Sequence, residues 1–297
     1  MGKKVVCFGE VLWDDFGVTK TIGGAPLNVC YHLSKLNMEP IIVSQVGNDD
    51  LGREILRQIA KWVIDARYCP VQDKYPTSTV KVLLQDSGDV RYEIVENVAW
   101  DYLSYDEDLA KEVALADCFV YGTLAARNSH TRAVLFEYVR RSKWPVLDLN
   151  LRQPYCAPNV IEPIIKTCKT IKLNQEELHF VSQLITPDFN SEQEAIDGVL
   201  GAFDNIEEVI LTRGRDGATY YNRNDRVSIK GMPVKVKDTV GSGDSFLAAF
   251  IHGKLSGKSD QQTLEEATCL SAFMATQNGG CPPYTFTDIE NFKKSLL

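Results

Sequence analysis

The sequence has no apolar run long enough to form a membrane-spanning helix, which predicts a protein without a transmembrane helix. Residues 1–4 lead directly into a short strand-like run and lack the apolar core of a signal peptide, which predicts a cytoplasmic protein. An excess of basic residues is also missing, because the formal net charge is −8. This charge disfavours nucleic acids and anionic membranes as partners.

Motifs of several enzyme classes are missing as well. The eight cysteines form no C-x-x-C pair, and none has histidines nearby at the spacing of a zinc site. The four histidines form no H-E-x-x-H motif, and no G-x-S-x-G sequence occurs. We therefore interpret the cysteines as reduced thiols of a cytoplasmic protein. Metalloprotease and serine-hydrolase chemistry have no support.

What the chain does have is a regular alternation of strand-like and helix-like segments. Apolar residues make up 44% of it and charged residues 24%, as is typical of soluble globular proteins. The β-rich apolar runs are residues 5–9, 41–46, 118–121, 146–149, 170–173 and 209–212. The amphipathic segments are residues 25–36, 50–62, 129–141, 175–184, 192–203 and 245–255. The alternation predicts one α/β domain over residues 1–297, a mostly parallel sheet with helices on both faces.

Two segments, about 13–22 and 77–102, interrupt this alternation. In the second, alternating apolar residues surround a turn at residues 86–89. We expect these segments to form a small antiparallel sheet. Near the carboxyl edge of the parallel sheet, it would act as a lid over the crevice where such folds bind ligands.

The strongest local signal is the run D-T-V-G-S-G-D-S-F at residues 238–246, which leads into an amphipathic helix. We expect the backbone amides of Gly241, Ser242 and Gly243 to be free there, so that an anion can approach them and the positive end of the helix dipole. The carboxylate of Asp244 would repel a phosphate but suits a base that accepts a proton from a hydroxyl. Alternatively, the glycines only shape the turn and Asp244 only stabilises the helix dipole.

Two better-known nucleotide motifs do not fit the sequence. A dinucleotide fingerprint that begins at Gly241 would need its third glycine at Phe246. A P-loop that ends at Gly257-Lys258-Ser259 would need its first glycine at His252.

A second glycine-rich turn, G-G-A-P-L-N, occupies residues 23–28. Gly23 and Gly24 permit close approach of a ligand, and Asn28 on the first helical turn offers both donors and acceptors. This combination suits an uncharged, polyhydroxylated ligand. A tight turn followed by proline at an early helix position explains the same residues equally well.

These two motifs, in this order and at opposite ends of the chain, resemble the two signatures of the ribokinase-like family of carbohydrate kinases. The G-G-A-P-x-N form resembles the fructokinase branch. Further matches follow in the family's order over nearly the whole chain: Gly9-Glu10 followed by Asp14, Asp148-Leu149-Asn150-Leu151-Arg152, Asn174-Gln175-Glu176-Glu177 and Thr212-Arg213-Gly214. The resemblance implies a ribokinase-like fold and transfer of the γ-phosphate of ATP to a small sugar.

The resemblance also implies roles for single residues at the reacting end. Those expected to hold sugar hydroxyls are Asp14, Gly23, Gly24 and Asn28. Asp244 would be the general base, and Gly241, Ser242 and Gly243 would form an anion hole for the phosphoryl group. Arg152 would add a fixed positive charge, with a surface ion pair as the alternative.

For the nucleotide and the cations, the resemblance implies three further groups of residues. Those expected to contact ATP are Asn174, Thr212, Gly214, Gly217 and Thr268, although many relatives have Asn in place of Thr268. Glu177 would organise Mg²⁺ with Asn174, largely through water. A K⁺ site would use Asp238 with main-chain oxygens of Val240 and Gly279. Dimerisation through the lid strands is implied as well.

Ala25 bears on the substrate. Relatives that act on phosphorylated sugars or on ribose often have Lys at this position, so the neutral side chain favours fructose, with fructose 6-phosphate as product. A kinase for 2-keto-3-deoxygluconate or another sugar acid is an alternative. A catalytically silent sugar sensor is another, although the retained Asp244 and N-x-x-E motif count against it.

Overall fold

The computed structural model describes residues 2–15, 17, 20–84, 90–185 and 189–295. The strands are β1 Lys4–Phe8, β2 Leu12–Asp15, β3 Lys20–Gly23, β4 Glu39–Val43, β5 Val46–Gly47, β6 Asp65–Tyr68, β7 Val71–Gln72, β8 Ser78–Leu84, β9 Val90–Ile94, β10 Cys118–Gly122, β11 Pro145–Asp148, β12 Thr170–Asn174, β13 Glu208–Thr212, β14 Ala218–Asn222 and β15 Arg226–Ile229. The helices are α1 Ala25–Lys35, α2 Asp50–Lys61, α3 Glu107–Leu115, α4 Ser129–Val139, α5 Pro158–Ile165, α6 Gln175–Ile185, α7 Glu192–Ala202, α8 Ser242–Leu255, α9 Asp260–Ala275 and α10 Phe286–Ser295.

A nine-stranded sheet runs through the molecule in the order β15-β14-β13-β12-β11-β10-β1-β4-β6. The strands from β13 to β6 are parallel, and β14 and β15 add an antiparallel edge. All six strands predicted from the sequence lie in the parallel part. The prediction of a mostly parallel sheet is confirmed.

Helices cover both faces of this sheet, because its parallel strands carry apolar side chains on both sides. Val6 and Phe8 of β1 pack into a core with α3 to α7, whereas Val5 and Cys7 pack into a second core with α1, α2, α8 and α9. Successive strand residues point to opposite faces, so one strand serves both cores. Every helix in the described ranges is too short or too polar to cross a membrane.

The small sheet has the order β3-β2-β8-β9. The pairs β2–β3 and β8–β9 are antiparallel, as predicted, but the central pair β2–β8 is parallel. Each antiparallel pair joins neighbouring strands, whereas β2 and β8 are distant in sequence and free to pair in either direction. The predicted turn at residues 86–89 lies outside the described residues.

The carboxyl ends of the parallel strands bring the polar motifs together. Glu10 follows β1, Asp148 ends β11, Asn174 ends β12 and Thr212 ends β13. Because parallel strands all end at the same edge of the sheet, these side chains meet there. The small sheet contributes Asp14 from β2 to the same edge.

Candidate active site

A cavity of about 510 Å³ opens at this edge, a size within the usual range for small-ligand sites. Eleven predicted site residues line it: Asp14, Gly24, Asn28, Arg152, Asn174, Glu177, Thr212, Val240, Gly241, Gly243 and Asp244. The seven other predicted residues lie outside its walls: Gly23, Gly214, Gly217, Asp238, Ser242, Thr268 and Gly279. The structure thus brings residues of both glycine-rich motifs into one cavity.

The two glycines of the N-terminal motif allow the start of α1 to approach the end of β1. Gly24 has a φ of 110°, and a Cβ added to it would lie 2.3 Å from the carbonyl oxygen of Glu10. A Cβ added to Gly23 would lie 2.6 Å from Oδ2 of Asp14. Larger residues at either position would push Asp14 or α1 away from the cavity.

Asn28 and Asp244 meet in the cavity although 216 residues separate them. Nδ2 of Asn28 donates a hydrogen bond to Oδ2 of Asp244 at 2.7 Å. Asn28 lies on the first turns of α1 and Asp244 on the first turn of α8. The hydrogen bond therefore joins the two glycine-rich motifs through their polar side chains.

The pKa of Asp244 is raised to about 6. Burial is the main cause, and the nearby charge of Asp148 raises it further, while the Asn28 hydrogen bond and the charges of Lys172 and Arg152 lower it. A carboxylate with a pKa near 6 is ionised at neutral pH and is a stronger base than an ordinary aspartate. Both properties suit a general base.

Lys172 lies in the cavity wall but was not predicted as a site residue from the sequence. Its Nζ lies 2.8 Å from Oδ1 of Asp148, and a Cβ added to Gly243 would lie 3.3 Å from that nitrogen. Burial lowers the pKa of Lys172, but Asp148 and other carboxylates outweigh burial and raise it, so the side chain is charged. The sequence signal was a lysine inside a buried strand, where lysine is rare without a partner.

Arg152 places a second positive charge near the cavity's carboxylates. Asp148, Asn150 and Arg152 all line the cavity, whereas Leu149 between them is fully buried. The charge of Arg152 lowers the pKa of Asp14, which burial nevertheless raises to about 6. An electrostatic role at the site is therefore favoured over a surface ion pair.

Glu10 is the most deeply buried carboxyl group of the wall. Its Oε1 accepts a hydrogen bond from the amide of Ala25 at 3.3 Å, and its Oε2 has no partner among the described residues. Burial raises its pKa to about 7, against a lowering by hydrogen bonds and by Arg152. Glu10 thus holds the start of α1 in place with a carboxyl group that is readily protonated.

The N-x-x-E motif forms the start of α6. Oδ1 of Asn174 accepts from the amide of Glu177 at 2.8 Å, and Oε2 of Glu177 accepts from the amide of Asn174 at 2.9 Å. This reciprocal pair is the geometry of a capping box. Oε1 of Glu177 accepts from the amide of Leu151 at 2.9 Å, so the carboxylate is held from both sides.

Ser242 departs from the expectation for the second glycine-rich motif. Its amide was predicted to be free, but it donates to the carbonyl oxygen of Thr239 at 3.2 Å and closes a turn. Gly241 has a φ of 74° and caps α8. Gly241 and Gly243 line the cavity. The anion hole predicted for this turn is therefore reduced to Gly241 and Gly243.

Asp238 and Gly279 lie just outside the cavity, next to Val240 in its wall. Oδ1 of Asp238 accepts from the amide of Val240 at 3.0 Å, and Oδ2 accepts from the amide of Gly279 at 2.8 Å. Two amides thus fix the carboxylate that the predicted K⁺ site requires. No group of three or more His, Cys, Asp or Glu side chains suited to a metal ion occurs in the described ranges.

The predicted ATP-binding residues that follow Thr212 in the sequence do not line the cavity. Gly214 and Gly217 have backbone conformations that favour glycine, and Thr268 lies in the interior. Gly217 has a φ of 98°, and a Cβ added to it would lie 2.0 Å from the carbonyl oxygen of Ile229. Gly214 has a φ of 54° with open space around it. Thr268 is buried on α9, and its Oγ1 has no partner among the described residues.

A family model described as "pfkB family carbohydrate kinase" matches residues 3–286 of the chain. The chain belongs to this family. Fructokinase-2 of Oryza sativa subsp. japonica is 27% identical to this carbohydrate kinase over 94% of the chain and 90% of the relative. An ATP-dependent 6-phosphofructokinase of Thermoanaerobacterium thermosaccharolyticum is 25% identical over 91% of the chain and 87% of the relative.

Solved structures show the same fold. Fructokinase from Xylella fastidiosa with bound ATP has a TM-score of 0.87 and 19% identity, and the match covers 99% of both chains. Fructokinase from Vibrio cholerae O395 with fructose, ADP and calcium ion has a TM-score of 0.82 and 21% identity, with 98% of both chains covered. A double mutant of the latter was solved with fructose, ADP and potassium ion. The predicted ribokinase-like fold is confirmed.

Proposed function

We propose that this carbohydrate kinase transfers the γ-phosphate of ATP to a neutral sugar, and that its preferred substrate is fructose, converted to fructose 6-phosphate. The hydrogen bond between Asn28 and Asp244 carries the proposal, because it joins the predicted sugar motif to the predicted base. The fructokinases among the relatives and the fructose in a related structure support the choice of sugar.

In the proposed reaction a sugar hydroxyl oxygen attacks the γ-phosphorus of ATP. The new O–P bond forms as the bond to the β,γ-bridging oxygen breaks, and Asp244 accepts the hydroxyl proton. Asp14, Asn28 and the turn at Gly23 and Gly24 orient the sugar. Substrate orientation lowers the barrier because it replaces a bimolecular encounter with a prearranged one.

Negative charge on the transferring phosphoryl group needs fixed positive partners. The turn of Gly241 and Gly243 offers backbone amides at the start of α8, with Ser242 as its connecting residue. Lys172 beside Gly243 supplies a full positive charge. We assign Arg152 to the same task, because its charge acts on Asp244.

Mg²⁺ would neutralise charge on the phosphates of ATP. The donor chemistry of the N-x-x-E motif fits a water-mediated contact, because each oxygen of the Glu177 carboxylate accepts one backbone hydrogen bond and retains a lone pair. Nδ2 of Asn174 is available as a donor to phosphate. We propose that these two residues hold the hydrated ion and the phosphates.

For the rest of the nucleotide, we propose contacts with Thr212, Gly214, Gly217 and Thr268. For a K⁺ ion, we propose Asp238 with the main-chain oxygens of Val240 and Gly279. The potassium ion in a related fructokinase supports the cation. A higher rate in K⁺ than in a large organic cation is expected, and equal rates would contradict this site.

The charges of the cavity favour a neutral sugar over an acidic one. Five carboxyl groups line it, Glu10, Asp14, Asp148, Glu177 and Asp244, against two cationic side chains, Lys172 and Arg152. A phosphosugar or sugar acid would bring more negative charge into this surface. The 6-phosphofructokinase among the relatives makes fructose 6-phosphate the necessary comparison.

A coupled assay of ADP release tests the proposal. Fructose, fructose 6-phosphate and 2-keto-3-deoxygluconate are compared at equal concentration, with Asp244→Asn as the blank. We expect the highest kcat/KM with fructose. Comparable turnover of fructose 6-phosphate or of the sugar acid would overturn the substrate, and sugar binding without ADP release would indicate a silent sensor.

Two further parts of the proposal rest on the family resemblance and on the sequence. We propose a location in the cytoplasm, where the eight free cysteines would stay reduced. We also propose a homodimer formed through the small sheet. Sedimentation of the purified protein tests the dimer, and a monomer at all concentrations would contradict it.

A further inference from the structure

Residues 279–284 form a segment that links the start of α8 to α1. At one end, the amide of Gly279 donates to Asp238, and the backbone of Gly280 lies against Gly241, where a Cβ would lie 2.5 Å from Cα of Gly280. At the other end, the hydroxyl of Tyr31 on α1 donates to the carbonyl oxygen of Pro282. The segment therefore bridges the two helices that carry Asn28 and Asp244.

His32 fixes this segment to α1. Its Nε2 lies 2.9 Å from the carbonyl oxygen of Gly280, and its Nδ1 lies 2.8 Å from the hydroxyl of Tyr284. A carbonyl oxygen only accepts, so Nε2 carries the hydrogen and Nδ1 accepts from Tyr284. Burial lowers the pKa of His32 to about 4, which keeps this neutral tautomer at physiological pH.

Cys281 on the same segment contacts the amide group of Asn28. Sγ of Cys281 lies 3.2 Å from Oδ1 of Asn28. The ionised carboxylate of Asp244 only accepts, so the nitrogen of the Asn28 amide must face it and the oxygen must face Cys281. An amide oxygen only accepts, so the thiol of Cys281 is the donor of this hydrogen bond.

We propose that Cys281 is a positioning residue, which holds the amide of Asn28 so that Nδ2 points at Asp244. The inference rests on the proposed function in one respect, the role of Asp244 as base. Gly280 assists, because a Cβ there would lie 2.8 Å from Nδ2 of Asn28 and would displace the amide. Without the thiol, the amide of Asn28 can rotate once Asp244 is protonated, and its oxygen then accepts a hydrogen bond from the carboxyl group.

Loss of the thiol therefore favours the protonated form of Asp244. The charged or titratable groups that face Asp244 are Asp148 on β11, Arg152 after β11, Lys172 on β12, Glu10 after β1 and Cys281. Asn28 is the uncharged donor to it, and that hydrogen bond lowers the pKa of Asp244. Rotation of the amide therefore raises the pKa, and the ionised base is lost at a higher pH.

The matched variants Cys281→Ala and Cys281→Ser test this inference. Alanine removes the donor with little change in volume, and serine keeps a hydroxyl donor, which is stronger than a thiol although its reach is shorter. We expect the acidic limb of kcat/KM for fructose to move to higher pH in Cys281→Ala. The loss at pH 6 should be about two- to sevenfold, because one hydrogen bond changes the acid dissociation constant by roughly two- to twelvefold and the parent base is half ionised at this pH. Cys281→Ser should stay near the parent protein, and the KM for ATP should change little in both.

An NMR titration of the Asp244 carboxyl carbon, assigned by its loss in Asp244→Asn, provides a readout independent of turnover. A raised pKa in Cys281→Ala and a normal one in Cys281→Ser would support the inference. Equal titration in all three proteins, or equal shifts in both variants, would overturn it. If fructose is not phosphorylated but the titrations differ as expected, the proposed function alone fails.

Discussion

Lys172 and Asp148 are direct neighbours on two parallel strands, β12 and β11, and their side chains form an ion pair of 2.8 Å next to Asp244. Both residues are less than a tenth exposed. A buried ion pair adds little to stability compared with apolar residues, and it is strongly destabilising when one partner is lost. A contribution to stability is therefore a weak explanation for the presence of this ion pair. The position of Lys172 beside Gly243 favours a role in the proposed reaction.

The first prediction is that Lys172→Met lowers kcat by about 10²–10³, the usual effect of removing one group that stabilises transition-state charge. The KM for the sugar should change less, because Lys172 lies on the phosphate side, beside Gly243. Steady-state kinetics with fructose and ATP give both values.

The double variant Lys172→Met with Asp148→Asn is the control for this prediction. The single variant leaves Asp148 buried and unpaired, at a cost of about 3–5 kcal/mol in the free energy of unfolding. The double variant should recover most of that stability but not the turnover. Recovery of turnover as well would mean that Lys172 only neutralises Asp148.

Most of the fold was predictable because it depends on local patterns. Six buried strands and six amphipathic helices follow from apolar periodicity, and each was found within a few residues of its predicted position. The parallel pairing of β2 with β8 was not predictable, since no turn connects the two strands and only packing sets their direction. The turn predicted at residues 86–89 lies outside the described residues and stays a prediction.

The site was predictable only where a motif carries it. The hydrogen bond between Asn28 and Asp244 and the contact of Cys281 with Asn28 depend on chain folding over more than 200 residues. The ion pair of Lys172 with Asp148 depends on strand register, which periodicity does not give. At Ser242 the motif itself was misleading, because a local hydrogen bond to Thr239 uses the amide that was predicted to be free.

The second prediction concerns Glu10 and the pH dependence of stability. Its folded pKa of about 7 lies above its ordinary value of 4.5, chiefly through burial. The stability that it contributes is therefore fully present below about pH 4.5 and is lost as the pH rises through about 7.

Glu10→Gln removes this ionisation. We expect the variant to gain stability relative to the parent protein on going from pH 5 to pH 8, by on the order of 2 kcal/mol. Urea unfolding at the two pH values measures the difference. An equal stability difference between the variant and the parent protein at pH 5 and pH 8 would show that Glu10 does not titrate as a buried group.

The third prediction concerns the buried ion pair of Arg127 with Asp101. Nε of Arg127 lies 2.8 Å from Oδ1 of Asp101, and the guanidinium lies 4.1 Å from the ring centre of Trp100, which is fully buried. Asp101→Asn leaves the arginine without its counter-charge, so we expect a loss of about 3–5 kcal/mol in the free energy of unfolding. The exposed pair of Lys111 with Asp108 offers the control, because Asp108→Asn should change stability little. Equal effects of the two variants would contradict the prediction.

The last prediction is that Asp244→Asn lowers kcat by about 10²–10⁴, because it removes a proton acceptor while it keeps the size of the side chain and an oxygen for the hydrogen bond from Asn28. In the parent protein kcat/KM should fall below a pH of about 6, where Asp244 becomes protonated. The residual activity of the variant should lack this limb.

The same variant separates a base from a helix cap. If Asp244 only stabilised the dipole of α8, Asn would replace it with little loss and turnover would survive. Asp50, in the first turn of α2, is the matched control, and Asp50→Asn should leave kcat unchanged.

The pKa of Asp244 is raised by burial, so its ionised form costs stability above a pH of about 6, and Asp244→Asn should unfold at an equal or higher temperature at pH 8. Isothermal titration should give an ATP affinity within a few-fold of the parent, since the variant keeps both glycines of the turn. Near-normal turnover with an intact fold would remove Asp244 as the base, whereas a loss of ATP affinity equal to the loss of kcat would place its effect in nucleotide binding.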